Sequence, residues 1–318
     1  MGTRVKPPFS RVNGLQWPLN VWQLGASFVF ILQTLLFLVY ICPYEDISEP
    51  FGCFLVSFCS FTTAGTLALF VPTSYIDPGD NSRTKTSDSE ELTRYCGHCE
   101  AKVHETSRHC TKCNKCLIGL DHHCKWLNTC IGSKNYTPFI FLVGTCLLHV
   151  TTQLWASTYF LLETVVSEES SRQKLHDSHV MSPSMTDFRI ALGVNIFLCC
   201  LLLMVIGELF TFHVILIYKN ITTYDFIMAS RAMFKAGKLK GATICATCCG
   251  CCTKRNKVAP GVGPQDAAAG PKPKSKFQIN ICTLISFEAD DVNRWTGGST
   301  SVKRVQKQND RQLAFTPV

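Results

Sequence analysis

The chain is expected to fold as an α-helical polytopic membrane protein, with a cysteine- and histidine-rich segment between its second and third spans. Two observations predict this. Four apolar blocks are each long enough to cross a bilayer, and one short polar segment concentrates the side chains that bind metals. With 318 residues, 46% hydrophobic and only 17% charged, the chain is more apolar than most soluble proteins of its size.

The first block, Val21–Cys42, has no charged side chain, and neither has the second, Phe51–Val71. The third is Pro138–Leu162. The fourth, Phe188–Tyr218, holds only Arg189 near its start and Glu208 inside. A helix needs about 20 apolar residues to cross a hydrocarbon core of ~30 Å, so each block suffices. Spans one and two are therefore placed in 21–71 and spans three and four in 138–218. Buried helices of a soluble core would require four such blocks in one short chain. A cleaved signal peptide does not fit either, since the first block is too long and no small-residue cleavage site follows it.

Orientation follows from Lys and Arg. Residues 1–20 carry Arg4, Lys6 and Arg11 and no acid, whereas loop 43–50 carries Glu45, Asp46 and Glu49 and no base. Nine bases lie in 72–137, two in 163–187 and sixteen from 219 onward. The N-terminus, the 72–137 segment and the 219–318 tail are thus expected on the cytosolic side. The formal net charge of +8 is then an asymmetry at a membrane surface. Nucleic acid is not an expected partner, because the tight cysteine spacings leave no room for a recognition helix between ligand pairs.

Residues 96–130 hold seven cysteines and five histidines. In a reducing cytosol such density means metal binding or catalysis, not disulfides. Cys-x-x-Cys spacing occurs at Cys96/Cys99, Cys110/Cys113 and Cys113/Cys116, and it lets both sulfurs reach one zinc ion. Two closed four-ligand sites would use eight of the twelve candidates. Spacing alone leaves open which four remain, and a thiol spared by metal beside a free histidine is a candidate nucleophile.

The run Cys96-x2-Cys99, His109-Cys110-x2-Cys113-x2-Cys116, Asp121-His122-His123-Cys124, Trp126, Asn128, Cys130, Gly132, Asn135-Tyr136, Phe139 resembles the DHHC cysteine-rich domain of protein S-acyltransferases. Asp77-Pro78-Gly79 and Thr222-Thr223-Tyr224-Asp225 look like two further motifs of that family, and the four-span layout agrees. The resemblance covers residues ~17–230 and is nearest to the branch with Lys after the motif cysteine. Lys125 departs from the commoner Pro, and Asp225 stands where the family has Glu.

The resemblance implies a protein S-palmitoyltransferase with two structural Zn2+ ions in short β-hairpins, core residues 92–136. One ion is assigned to Cys96, Cys99, His109 and Cys116, the other to Cys110, Cys113, His123 and Cys130. Cys124 is then the nucleophile, His122 its base and Asp121 the group that orients His122. Palmitoyl-CoA or another fatty acyl-CoA is the implied donor. Membrane-associated proteins with cytosolic cysteines are the implied acceptors, at endomembranes such as the endoplasmic reticulum, Golgi or endosomes. His149, inside the third span, is assigned to the wall of an acyl cavity, or else to a hydrogen bond between helices. His98 and His104 are read as solvent-facing, and Glu208 and Asn195 as contacts between helices.

The tail is read as largely disordered after 240, with Pro, Gly, Ala and Lys dominating Ala259–Lys276. The Cys245–Cys252 cluster beside Lys254 and Arg255 fits juxtamembrane acylation. Met1-Gly2-Thr3-Arg4-Val5-Lys6 lacks the hydroxyl residue of a myristoylation signal. A different class of function, a non-catalytic zinc-stabilised membrane adaptor, uses the same zinc platform without turnover.

Overall fold

The computed structural model describes residues 10–44, 49–80, 94–177 and 184–235. The myristoylation segment, the Cys245–Cys252 cluster and Ala259–Lys276 lie outside the described residues. In chain order the helices are α1 Val21–Tyr44, α2 Pro50–Tyr75, α3 Tyr136–Val166, α4 Glu168–Asp177, α5 Met185–Lys219 and α6 Thr223–Lys235. Of these, α1, α2, α3 and α5 are long and apolar enough to cross a membrane.

Local chemistry sets the helix ends. The Asn20 side chain accepts from the Trp22 N–H at the start of α1, satisfying a backbone donor that the helix cannot. Pro50 occupies the first turn of α2, where a missing N–H costs nothing. Ser184 caps α5 by accepting from the Asp187 N–H, and Asn220, left-handed at φ 55°, terminates that helix. Helices α2 and α3 each run past the end of their apolar block, to Tyr75 and Val166. Backbone hydrogen bonding stops at a breaker, here Asp77-Pro78 after α2, and not where apolarity ends.

Helix α4 lies in the 163–187 segment between the third and fourth apolar blocks. Its marks are Glu168 and Glu169 in the first turn and Lys174 and His176 in the last, which complement the helix dipole. Its Leu175 packs into a cluster with Phe37, Ile41, Tyr44, Phe160 and Phe188, closing the α1, α3, α5 end remote from the cysteines.

Helix α3 packs along both α2 and α5. Polar side chains meet between them: Asn195 donates to Ser157 Oγ at 2.8 Å, and His149 Nδ1 lies 3.1 Å from Thr62 Oγ1. Asn195 is thus a contact between helices, as expected. Glu208 is not; it lies exposed on α5, because helical spacing turns it with Met204 and Leu201 to the outer face. Phe141, Phe197 and Met204 also face outward, an apolar exterior of the kind a bilayer covers.

Between α2 and α3 stand three antiparallel hairpins, β1 Arg94–Cys96 with β2 Ala101–Val103, β3 Ser107–Cys110 with β4 Lys115–Ile118, and β5 His122–Cys124 with β6 Thr129–Ile131. Each reverses through one left-handed residue, Glu100, Asn114 and Asn128 at φ 50°, 52° and 54°, a backbone state that asparagine tolerates best after glycine.

Several contacts dock the hairpins on the helices. Asp77, just after α2, accepts from Lys115 Nζ in β4 and from the Gly79 N–H. Buried Asn135 donates to Cys130 O and Thr73 O and accepts from the Gly132 N–H, joining β6, α2 and the start of α3. The segment before α1 forms a strap. Its Arg11 N–H donates to Cys113 O and its Gly14 N–H to Ser74 O at 2.7 Å, while Asn128 Nδ2 donates to Gly14 O and Pro18 O. From Asp225 the chain forms a second unit, described as far as Lys235.

A Cβ at Gly14 would stand 1.9 Å from Leu127 O, a backbone atom that cannot rotate aside. Gly14→Ala is therefore expected to loosen the strap by about 1–3 kcal/mol. Amide hydrogen exchange should accelerate at residues 10–18 and at Leu127 and Asn128, while the four long helices exchange as in the unaltered protein.

Candidate active site

Strand alternation sorts the cysteines and histidines. Neighbouring residues of a strand face opposite ways, so His109 and Cys110 cannot serve one site. His109 pairs across the ladder with Cys116, and these two meet Cys96 and Cys99 of the first hairpin. Cys110 and Cys113 instead meet His123 and Cys130, themselves a cross-strand pair. In each quartet one donor atom per residue lies within 4.8 Å of the others.

The spacings fit a shared ion. A tetrahedral ion with metal–sulfur bonds of ~2.3 Å and metal–nitrogen bonds of ~2.05 Å sets edges of roughly 3.8 and 3.6 Å. In the first quartet Cys99 and Cys116 sulfurs are 3.7 Å apart, and His109 Nδ1 is 3.4 and 3.8 Å from them. In the second, His123 Nδ1 is 3.3, 3.5 and 3.9 Å from the sulfurs of Cys113, Cys130 and Cys110. Burial, followed by the Cys96 and Cys99 sulfurs, pushes the Cys116 thiol up. The Cys110 and Cys113 sulfurs, with burial, do the same to Cys130. A bound cation relieves that mutual repulsion, so both quartets could hold a metal ion.

Cys124 belongs to neither quartet. It ends β5 opposite Thr129, two residues from His122, so both project from the face opposite His123. Asp121 is buried, with Oδ2 2.8 Å from His122 Nδ1 and Oδ1 accepting from the Thr223 N–H at 2.8 Å. Burial disfavours the Asp121 carboxylate, but His122, His213 and the Thr223 N–H outweigh it and hold the group below the usual carboxylate range. For His122, burial opposes protonation. Hydrogen bonds with Asp121 and Cys124 and their charges prevail, so its imidazole is pushed up to about 10.

The Cys124 side chain packs with Leu127, Ile131, Phe139, Leu142 and Val143, with Leu69, Phe70 and Phe210 at the margin. The thiol therefore stands where α2, α3 and α5 converge beneath the hairpins. His149 lies on α3 further along the same face as Phe139, Leu142 and Cys146, by helical spacing; it is 1% exposed and its Nε2 has no hydrogen-bond partner among the described residues. His98 is exposed and stacks on His109 at 4.7 Å. His104 is only half-buried, its ring bonded to Thr106 and its N–H to Asp80.

The sequence reading missed His213 of α5, whose ring centroid lies 5.5 Å from that of His122. Its signal was available: an ionisable residue inside an apolar span. Thr223 was quoted only as part of a motif, and nothing in its side chain announces that its backbone N–H serves Asp121.

Asp121→Asn removes the charge that favours the imidazolium. The His122 ring is expected to titrate well below about 10, toward the ordinary value of about 6.5, as read from its ring proton shifts against pH.

Comparison with known proteins agrees with this geometry. A family model described as DHHC palmitoyltransferase matches residues 89–230. The probable protein S-acyltransferase 19 of Arabidopsis thaliana is 40% identical over 149 residues, covering 47% of this chain and 21% of that protein. Palmitoyltransferase ZDHHC1 of Mus musculus is 32% identical over 255 residues, covering 70% of this chain and 51% of that protein. Protein S-acyltransferase 18 of Arabidopsis thaliana is 37% identical over 162 residues, covering 51% and 32%. The chain thus spans about half or less of the length of the curated relatives it matches. The three hairpins, both quartets and helices α3 and α5 all lie inside the matched stretch, so residues 89–230 are a DHHC-type protein S-acyltransferase domain.

Proposed function

We propose that the chain is a membrane-embedded protein-cysteine S-acyltransferase that moves a fatty acyl group, palmitoyl above all, from acyl-CoA to cysteines of membrane-associated proteins. The observation that carries this reading is Cys124, outside both quartets, beside a His122 held protonated by Asp121, at an apolar junction of three helices. Cys124 is the nucleophile, His122 the proton carrier and Asp121 its orienter.

Two exchanges of thioester for thioester suffice. The Cys124 thiolate attacks the carbonyl carbon of acyl-CoA, the carbon–sulfur bond to CoA breaks, and the CoA sulfur takes the proton of the His122 imidazolium. A target thiol then gives its proton to neutral His122 and attacks the acyl-enzyme carbonyl. The Cys124–carbonyl bond breaks, and thiolate and imidazolium are restored. One thioester replaces another at each step, so positioning and thiolate activation carry the catalysis.

Zinc is the ion the donor sets favour, one held by Cys96, Cys99, His109 and Cys116 and the other by Cys110, Cys113, His123 and Cys130. Both are structural, since each quartet is closed. We place residues 72–137 and the 1–20 and 219–318 segments on the cytosolic side of an endomembrane, on the distribution of bases. The acyl chain then extends from Cys124 along α3. His149 lies ten residues beyond Phe139, about 15 Å deeper, and we assign it to the inner part of that path, its ring fixed by the contact of Nδ1 with Thr62 Oγ1.

Purified protein incubated with labelled palmitoyl-CoA is expected to take up a hydroxylamine-sensitive label that Cys124→Ser abolishes. A zinc-loaded protein that takes no label would favour the adaptor reading instead. Stripping metal with a strong chelator is expected to release two zinc ions per chain. It should also unfold the hairpins, since structural zinc supplies on the order of 10 kcal/mol per site in small domains. Retained exchange protection at residues 94–131 after metal loss would contradict the structural role.

A further inference from the structure

We infer that His213 of α5 is a positioning residue for acyl transfer, fixing the Asp121–His122 pair against the membrane helices. The inference rests on the acyltransferase reading and extends it to a side chain outside the cysteine-rich domain.

An imidazole nitrogen of His213, one of His122 and a carboxylate oxygen of Asp121 lie within 4.8 Å of one another. His213 is 1% exposed, and buried imidazoles need their nitrogens occupied. Its Nδ1 is 3.3 Å from the hydroxyl of Tyr136, the first residue of α3. Phe139, one turn on, stands edge-on to both rings, with centroids 5.1 Å from His213 and 5.3 Å from His122. His213 thus bridges α5 to the start of α3 while its ring borders the carboxylate.

These three donors are not read as a third metal centre. The 2.8 Å contact of Asp121 with His122 is hydrogen-bond length, shorter than the roughly 3.3 Å edge between oxygen and nitrogen ligands on a tetrahedral ion. That leaves a geometric role. Asp121 is held from three sides: His122 takes Oδ2, the Thr223 N–H takes Oδ1, and His213 closes the side facing the membrane. Without the His213 ring, the carboxylate and the Phe139 ring gain room, and His122 loses its fixed angle to Cys124. A displacement of that size at reacting groups lowers a rate without weakening the binding of a distant acyl tail.

The test uses full-length protein in bilayer nanodiscs and follows single-turnover labelling of Cys124 by palmitoyl-CoA. His213→Ala is expected to lower the maximal labelling rate on the order of tenfold to a hundredfold. The half-saturating acyl-CoA concentration and the zinc content should stay unchanged. His213→Asn, which can still bond Tyr136, should recover most of the rate, and Tyr136→Phe should reproduce part of the loss. Adding His213→Ala to Asp121→Asn should cost little more than Asp121→Asn alone, since both act on one arrangement.

Wild-type rates in His213→Ala would overturn the inference. So would a loss expressed in half-saturation or zinc content, because that is what a purely structural residue would show. An unlabelled wild-type protein would overturn the acyltransferase reading and this inference together, whereas a labelled wild type with an unaffected His213→Ala overturns only the inference.

Discussion

The period-two alternation of the short strands in three hairpins governs everything else in this molecule. Because adjacent strand residues face opposite ways, His109 and Cys110 serve different quartets, and His122 and His123 do different work although they are neighbours in sequence. His123 enters the second quartet with Cys110, Cys113 and Cys130. His122, on the other face, is left for Asp121 and Cys124. A one-residue slip in β5 would exchange the two histidines and put the wrong ring beside the thiol.

Short hairpins of three or four residues cannot hold such a register alone. The quartets draw distant points of the segment together, and because the second hairpin contributes to both, none of the three hairpins can shift without straining a neighbour's donors. The helices supply the rest. Asn135 links β6 to α2 and α3, Lys115 pairs with Asp77 beyond α2, and Gly14 lets the strap before α1 lie against Leu127. These contacts set the depth of Cys124 against the apolar junction of α2, α3 and α5. The domain is accordingly a seat for one sulfur, held at a fixed height by polar contacts made just outside the apolar zone.

Electrostatics at the site point the same way. Asp121 is buried yet remains a carboxylate, because His122 and a backbone N–H hold its charge. His122 is consequently held in its protonated form, its imidazole pushed up to about 10 by Asp121 and Cys124. The same carboxylate brings together residues 121, 122, 213 and 223, three elements of the chain meeting at one charge.

Much of this was legible beforehand. The four apolar blocks marked the four long helices, and the Cys-x-x-Cys spacings marked a metal-type cluster, because burial of apolar length and ligand reach along a chain are local properties. Membership of the two quartets came from family likeness, since spacing alone left the surplus donors open. Helix α4 went unread because its mean character is polar and its support comes from side-chain pairs such as Glu168 with Arg172. Glu208 was read as a contact between helices, but its angular position on α5 turns it outward.

Composition and residue spacing by themselves determined the four long apolar helices and the metal-binding character of the segment between the second and third, while the choice of the spared thiol came only from family likeness. Only tertiary structure decided that His213 borders Asp121, that Gly14 touches Leu127, and that a backbone N–H at Thr223 serves a carboxylate 102 residues away. Such contacts join groups far apart in the chain through backbone atoms or buried rings. A linear pattern carries no trace of them, because nothing about the side chain itself changes.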